Sequence, residues 1–136
     1  MRALGLDLGR RRVGVAISDS KGAVAAPYEV VDRDRGDLAE RLRAIVTEEG
    51  IERVVIGLPL SLSGDEGPAA RAAREEAAEL AATLPVPVEV FDERLTTVEA
   101  ERPLQELRMK ADARRRVVDK VAAAVMLQGW LEANRG

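Results

Sequence analysis

The chain has 136 residues and a formal net charge of −3 at pH 7, and 46% of its residues are hydrophobic although only 2% are aromatic. This length corresponds to one domain (1–136), whose core must be built from aliphatic side chains. The sequence contains no cysteine and no histidine. It therefore excludes thiolate nucleophiles, disulfides, cysteine-based zinc sites and a Ser–His–Asp mechanism, and it leaves carboxylates that bind hard cations as the natural candidate.

Charged residues are distributed unevenly along the chain. The segment Gly64–Glu101 carries 10 acidic and 3 basic residues, whereas Arg102–Lys120 carries 7 basic and 3 acidic ones. Arg10, Arg11 and Arg12 form a second basic cluster. This asymmetry permits a basic binding face on an acidic molecule, although ordinary solvated charges explain it equally well.

The first half of the chain predicts three strands, a helix and a fourth strand. Apolar runs at Ala3–Leu8 and Val13–Ile17, and an extended stretch at Ala23–Val31, are joined by short turns and indicate an antiparallel meander. Helical spacing of apolar residues follows over 38–50 and stops at a glycine. Arg53–Gly57 then has the Val/Ile-rich composition of a buried parallel strand.

The second half predicts a loop, a helix, a strand and two further helices. The loop spans 58–68, the helix 70–84 and the strand 86–91. A short helix then begins near Thr97 and is kinked or ended by Pro103, and a longer helix spans 115–131. The order βββ-α-β-α-β-α(-α) predicts an α/β fold with one mixed five-stranded sheet flanked by helices. The segment Val121–Leu127 is apolar on nearly every side, so we expect it to be buried.

The first candidate for chemistry is Asp7 in the motif Gly5-Leu6-Asp7-Leu8-Gly9. In a strand, Gly5, Asp7 and Gly9 face one side of the sheet and the leucines face the other. A carboxylate on a buried first strand is costly unless it is paired or binds a metal, and the glycines leave space for a ligand. The alternative is that Asp7 caps the turn into Arg10.

Two further acids can join Asp7. Asp92 and Glu93 follow a predicted strand, point to opposite sides, and are alternatively plain surface acids. Asp119 shares a helix face with alanines that would let the helix lie close to the sheet, or it pairs with Lys120 or Arg115. The glycine-rich loop over 57–67 lacks the phosphate-binding P-loop signature and is uninformative by itself.

Taken together, carboxylates from a first strand, a late strand and a last helix could converge on one or two divalent ions. Such ions polarise a phosphoryl oxygen and activate water without histidine or cysteine. Three acids held together repel one another, so we expect at least one pKa to be raised when no metal is bound. The three acids therefore indicate metal-assisted chemistry at a phosphoryl group.

At these same residues the sequence resembles the YqgF family, also called RuvX. Its members are proposed Holliday-junction resolvases with a ribonuclease-H-like fold, and they are linked to maturation of the 5′ end of 16S ribosomal RNA. The matching strings are 5–9 with 12–19, 57–60 with Gly64 and 66–68, 92–102, and 118–120 with 122–123 and 127–128. The chain departs from the family at Ser61-Leu62-Ser63, which leaves loop contacts open, and at Pro103, which affects the shape of a helix.

The resemblance implies a metal-dependent nuclease. Asp7, Glu93 and Asp119 would be both the catalytic residues and the ligands of Mg²⁺ or Mn²⁺, with Asp92 as the fallback for Glu93. Because the chain has one Trp, one Tyr and one Phe, we expect recognition of phosphates rather than base stacking. The side chains expected to contact nucleic acid are Arg10, Arg11, Arg12, Arg94, Arg114, Arg115, Arg116 and Lys120.

The expected partner is nucleic acid, either structured RNA or branched DNA, and the first choice is the precursor of the small-subunit ribosomal RNA. Holliday-junction resolution and a non-catalytic nucleic-acid-binding role are the alternatives. An actin-like ATPase also begins with Asp-x-Gly, but it needs two such domains. We expect a cytoplasmic protein without membrane association. Its apolar faces are narrow, which predicts a monomer or a weak homodimer.

Overall fold

The protein consists of a mixed five-stranded sheet with helices on both faces. A computed structural model describes residues 1–60, 63, 65–92 and 111–134, and at 111–114 it describes the backbone alone. The strands are β1 (Ala3–Leu8), β2 (Arg12–Ser18), β3 (Ala25–Asp32), β4 (Arg53–Leu58) and β5 (Val88–Asp92). The helices are α1 (Leu38–Glu49), α2 (Pro68–Thr83) and α3 (Ala111–Ala133), and a 3-10 helix spans Arg33–Arg35.

The strand order is β3-β2-β1-β4-β5. β1, β2 and β3 pair antiparallel, β4 runs parallel to β1, and β5 runs parallel to β4. The predicted meander followed by parallel strands is therefore confirmed. The expected short helix near Thr97, its Pro103 and part of the 58–68 loop lie outside the described residues.

Local sequence signals explain both ends of α1. The side chain of Asp37 accepts a hydrogen bond from the backbone N–H of Glu40, as an N-cap residue does. Gly50 adopts a left-handed conformation with φ of 64°, which a glycine reaches without a steric penalty, and its N–H donates to the carbonyl of Val46. The buried side chains between these caps are Leu42, Ile45 and Val46, the apolar face predicted from the spacing.

Alternation along β1 assigns its side chains to two different layers. Leu4 and Leu6 are fully buried in the larger core, which packs the sheet against α1 and α2. Ala3 belongs to a second core formed with α3. Because neighbouring residues of a strand point to opposite faces, Gly5 and Asp7 share the α3 face with Ala3, as the sequence predicts.

Glycines on this face let α3 approach the sheet closely. A β-carbon built on Gly14 would lie 2.0 Å from the carbonyl oxygen of Asp119, and one built on Gly5 would lie 2.8 Å from the β-carbon of Leu127. Neither distance is possible for a real side chain, so residues larger than glycine would push the helix away. The backbone of α3 thus rests directly on β1 and β2.

The expectation for Val121–Leu127 is only partly right. Ala123, Ala124, Met126 and Leu127 are buried against the sheet, whereas the remaining three residues of the segment are half-buried. A single helix on an outer layer can bury only the stripe that faces the sheet, even where its other side is apolar.

None of the helices in the described part of the chain is long and apolar enough to cross a membrane.

We predict that Gly14→Ala destabilises the protein by about 3 kcal/mol, because the added methyl group overlaps backbone rather than a movable side chain. Gly67→Ala is the matched control, since nothing lies within 4 Å of a β-carbon there, and it should cost only about 0.5 kcal/mol. Denaturant unfolding measures both. Equal losses in the two variants would contradict the close approach of α3 to β2.

Candidate active site

Asp7 lies near the carboxyl end of β1, half-buried on the face that α3 covers. In the β1–β2 ladder it stands opposite Gly14, the residue on which α3 rests. Burial, and secondarily the negative charge of Asp119, raise the pKa of Asp7 to about 6. The expected rise in the pKa of one acid is therefore present, but desolvation of the carboxylate contributes more to this rise than repulsion between the acids does.

Asp119 is brought to Asp7 by the packing of α3. Its carbonyl oxygen lies over Gly14, and its half-buried carboxylate accepts a hydrogen bond from Nε of Arg12 at 2.9 Å. Arg12 is the first residue of β2. The sequence predicts Arg12 as a nucleic-acid contact and does not reveal this ion pair, because 107 positions separate the partners and no local pattern joins them.

The third acid, Glu93, lies outside the described residues, but its neighbour Asp92 is informative. Along β5, Val88 and Val90 pack on the α1/α2 side of the sheet, whereas Phe91 packs against the core under α3. Strand alternation therefore places Asp92 on the α1/α2 side, opposite the face of Asp7. This placement argues against Asp92 as the fallback ligand.

The predicted basic residues do not all take the same role. Arg10, Arg11 and Arg115 are exposed, whereas Arg12, Arg116 and Lys120 are half-buried. Arg94 and the side chain of Arg114 lie outside the described residues. Arg116 donates to Asp32 at 2.5 Å, and this hydrogen bond is the main cause of the lowered pKa of Asp32. Asp32, the last residue of β3, stands opposite Arg12 in the ladder and was not predicted from the sequence.

An alternating row of charges thus crosses the carboxyl end of the α3 face. It runs from Arg116 and Asp32 through Arg12 to Asp119, with Asp7 beside it. The row places two carboxylates from distant parts of the chain next to guanidinium groups. Such a site can hold a cation between acids and can offer donors to a phosphate.

Two of the expected metal ligands, Asp7 and Asp119, lie within the described residues. Within the described ranges, no group of three or more acidic side chains is placed to hold a metal, and the expected third member, Glu93, is not among those residues. Asp7 and Asp119 provide hard oxygen donors of the kind that Mg²⁺ and Mn²⁺ prefer. The raised pKa of Asp7 shows an energetic cost that a bound cation would relieve, so the two acids fit such an ion.

A family model described as "RuvX: Holliday junction resolvase" matches residues 1–133. The chain belongs to the RuvX family. Among similar proteins are those of Myxococcus xanthus, 47% identical over 99% of this chain and 90% of its own length, and of Geobacillus kaustophilus, 45% identical over 99% and 100%. An Anaeromyxobacter relative is 51% identical over 97% of each chain. All three carry the provisional name pre-16S rRNA nuclease.

Solved structures agree on the fold. RuvC of Thermus thermophilus in complex with a Holliday junction superposes with a TM-score of 0.62 at 16% identity, covering 100% of this chain and 98% of that one. The fowlpox virus Holliday junction resolvase gives 0.52 at 14% identity, over 98% and 99%. At these identities the match establishes the ribonuclease-H-like fold of this RuvX chain, as the resemblance to the family implies.

We predict that Asp7→Asn stabilises the metal-free protein at pH 7.5. A raised folded-state pKa means that stability is lost as pH rises from the unfolded value of 3.8 to about 6. The variant escapes this loss, and after allowance for solvent screening the gain is about 2 kcal/mol. Denaturant unfolding with a chelator present, at pH 4 and pH 7.5, measures it.

Asp19→Asn is the control with the opposite sign. Backbone N–H groups of Val24 and Ala23 donate to the Asp19 carboxylate and lower its pKa. Its stabilisation is therefore present above the unfolded pKa and lost as pH falls, so Asp19→Asn should destabilise at pH 7.5. A gain in stability from Asp7→Asn that is equal at pH 4 and pH 7.5 would show that burial does not raise the pKa of Asp7.

Proposed function

We propose that this RuvX chain is a metal-dependent nuclease that hydrolyses phosphodiester bonds in the 5′-end maturation of precursor 16S ribosomal RNA. One observation carries the proposal: Asp7 on the first strand and Asp119 on the last helix lie on the same face of the sheet, near enough for the charge of Asp119 to help burial raise the pKa of Asp7. The names of its relatives, which cover nearly the whole chain at 45–51% identity, support the substrate.

Asp7, Asp119 and Glu93 would hold one or more Mg²⁺ or Mn²⁺ ions. When bound, such an ion supplies Lewis-acid stabilisation of phosphate charge and a more acidic water. Burial of the Asp7 carboxylate favours the binding of a proton or a cation there. Arg12 donates a hydrogen bond to one oxygen of Asp119 and so restrains the orientation of that carboxylate.

A role in binding alone is less well supported. Phosphates are repelled by carboxylates, so a pure binding module gains nothing from two acids whose proximity and burial already cost free energy. An ion-dependent enzyme uses the same arrangement to collect metal at the scissile phosphate. The acids at the end of β1 and on α3 therefore favour catalysis over simple recognition.

The family description keeps junction resolution as the second candidate. Two symmetric cuts require two sites, which a closed homodimer supplies. The narrow apolar surfaces predict a monomer or a weak dimer, which sedimentation at micromolar concentration would test. A nuclease of precursor ribosomal RNA would act in the cytoplasm, the compartment expected from the sequence.

We predict that the purified protein cuts a 5′-extended 16S RNA fragment with Mg²⁺ or Mn²⁺ and leaves a synthetic four-way DNA junction uncut. Asp7→Asn and Asp119→Asn should each reduce the rate at least ~100-fold while the proteins stay folded, because a ligand charge is lost. Glu79→Gln, at an exposed acid of α2, is the control and should keep full activity. Cleavage of the junction alone would replace RNA processing with resolution.

We also predict that Mn²⁺ raises the melting temperature of the wild-type protein and not that of Asp7→Asn, since a ligand that binds only the folded state stabilises it. Calorimetric titration should show binding in the first protein and its loss in the second. An identical rise in both proteins would place the ion away from Asp7.

A further inference from the structure

A groove opens beside the turn that joins β1 to β2. One part, about 410 Å³, is lined by Arg10, Arg11, Arg33 and Asp34. A second part, about 230 Å³, shares Arg10 and Arg33 and continues along α2. Its remaining lining residues are Leu8, Gly9, Ala69, Ala72, Ala73 and Glu76. The groove thus runs from the carboxyl end of β1 towards the α2 side of the sheet.

Arg33 binds the turn at two of its backbone carbonyls. Its Nε donates to the carbonyl of Gly9 at 2.8 Å, and its backbone N–H donates to the carbonyl of Arg11 at 2.9 Å. The turn itself is closed by a hydrogen bond from the N–H of Gly9 to the carbonyl of Arg12 at 3.0 Å. One residue from the end of β3 therefore fixes the backbone that carries Arg10 and Arg11.

Glu76 holds Arg33 in this position. The two terminal nitrogens of the guanidinium donate to the two carboxylate oxygens of Glu76, each at 2.7 Å. This is the two-pronged geometry in which arginine is most specific. The side chains are 29% and 24% exposed, so the pair is shielded enough to hold its geometry. It ties the turn to α2.

Arg10 and Arg11 are then the cations available to a ligand. Both are exposed, and within the described residues neither forms an ion pair, whereas the charge of Arg33 is matched by Glu76. Asp34 offsets part of their charge. Arg10 comes three positions after Asp7, so their Cα atoms lie within roughly 10 Å of each other. The turn is therefore close to the acids, at the carboxyl end of β1.

We propose that Arg33 and Glu76 form a clamp that positions Arg10 and Arg11 to bind backbone phosphates of the nucleic acid next to the cleaved bond. The strand would pass from the acids on the α3 face, over the turn, into the groove on the α2 side. Arg33 and Glu76 are positioning residues, because their charges are used on each other. The inference rests on the proposed function in two respects, that the ligand is nucleic acid and that its cleaved bond lies at Asp7 and Asp119.

The first test changes Arg33 without changing its charge. Lysine cannot make the two-pronged pair with Glu76 together with the bond to Gly9. In a chelator, Arg33→Lys should bind a fluorescein-labelled RNA duplex with a single-stranded 5′ extension about 3- to 10-fold more weakly, the loss of one or two hydrogen bonds. Arg35→Lys, at an exposed arginine of the same 3-10 helix, should bind like wild type. Equal affinity of Arg33→Lys and wild type would overturn the clamp.

The second test compares two variants for which local charge and the clamp predict opposite orders of binding affinity. Glu76→Gln and Glu75→Gln remove the same negative charge from neighbouring residues of α2, but only Glu76 lines the groove and holds Arg33. Charge alone predicts tighter binding by Glu76→Gln than by Glu75→Gln. The clamp predicts weaker binding by Glu76→Gln. This comparison also decides the matter if Arg33→Lys fails to fold.

A double-mutant cycle separates positioning from general damage. Arg10→Gln with Arg11→Gln should weaken binding for RNA and DNA duplexes alike and lower the salt slope by about two. In that background Arg33→Lys should have no further effect, whereas an effect of full size would overturn the clamp. Because cleavage is not measured, a binding-competent but inactive protein contradicts the nuclease alone. A wild-type protein that binds neither duplex contradicts both.

Discussion

The contact between the backbone of α3 and the sheet at Gly14 is the constraint on which the candidate site depends. Asp7 stands opposite Gly14 in the ladder, and the carbonyl of Asp119 lies where a side chain at position 14 would be. Any larger residue there would lift the helix and take the Asp119 carboxylate away from Asp7. Gly5 and the buried alanines of α3 extend the same close packing along the helix. The site therefore depends on the glycines that let the helix approach the sheet as much as on the acids themselves.

This packing brings together groups that oppose folding. Burial disfavours the charged form of Asp7, and Asp119 adds repulsion. Arg12 offsets part of that cost by pairing with Asp119, and Asp32 in turn accepts from Arg116. Partly exposed ion pairs of this kind contribute up to about 1 kcal/mol each, less than the cost of one buried carboxylate. The fold is thus held by its two aliphatic cores, and the charged row adds little to its stability.

Sequence periodicity was sufficient wherever one face of an element is buried. Alternation along β1 placed Asp7 apart from Leu4 and Leu6, and the small residues after Asp119 predicted the close helix. Three features could not be read in this way. Arg12 with Asp119, Arg33 with Glu76 and Arg116 with Asp32 join residues far apart in the chain, so no local pattern reports them. The half-exposed part of Val121–Leu127 was also missed, because composition does not reveal whether a second layer covers a helix. Glu93 and Arg94 stay predictions.

The pairing of charges also explains how an acidic protein can bind a polyanion. The net charge of −3 describes the whole chain, but a phosphate responds to groups within about 8 Å at physiological ionic strength. Near the acids, Arg12 and Arg116 belong to the charged row, and Arg33 is matched by Glu76. Arg10 and Arg11 remain exposed on a turn whose backbone is fixed from two sides. Arg10 and Arg11 would therefore give a local attraction to phosphate at the carboxyl end of β1 without a broad basic surface.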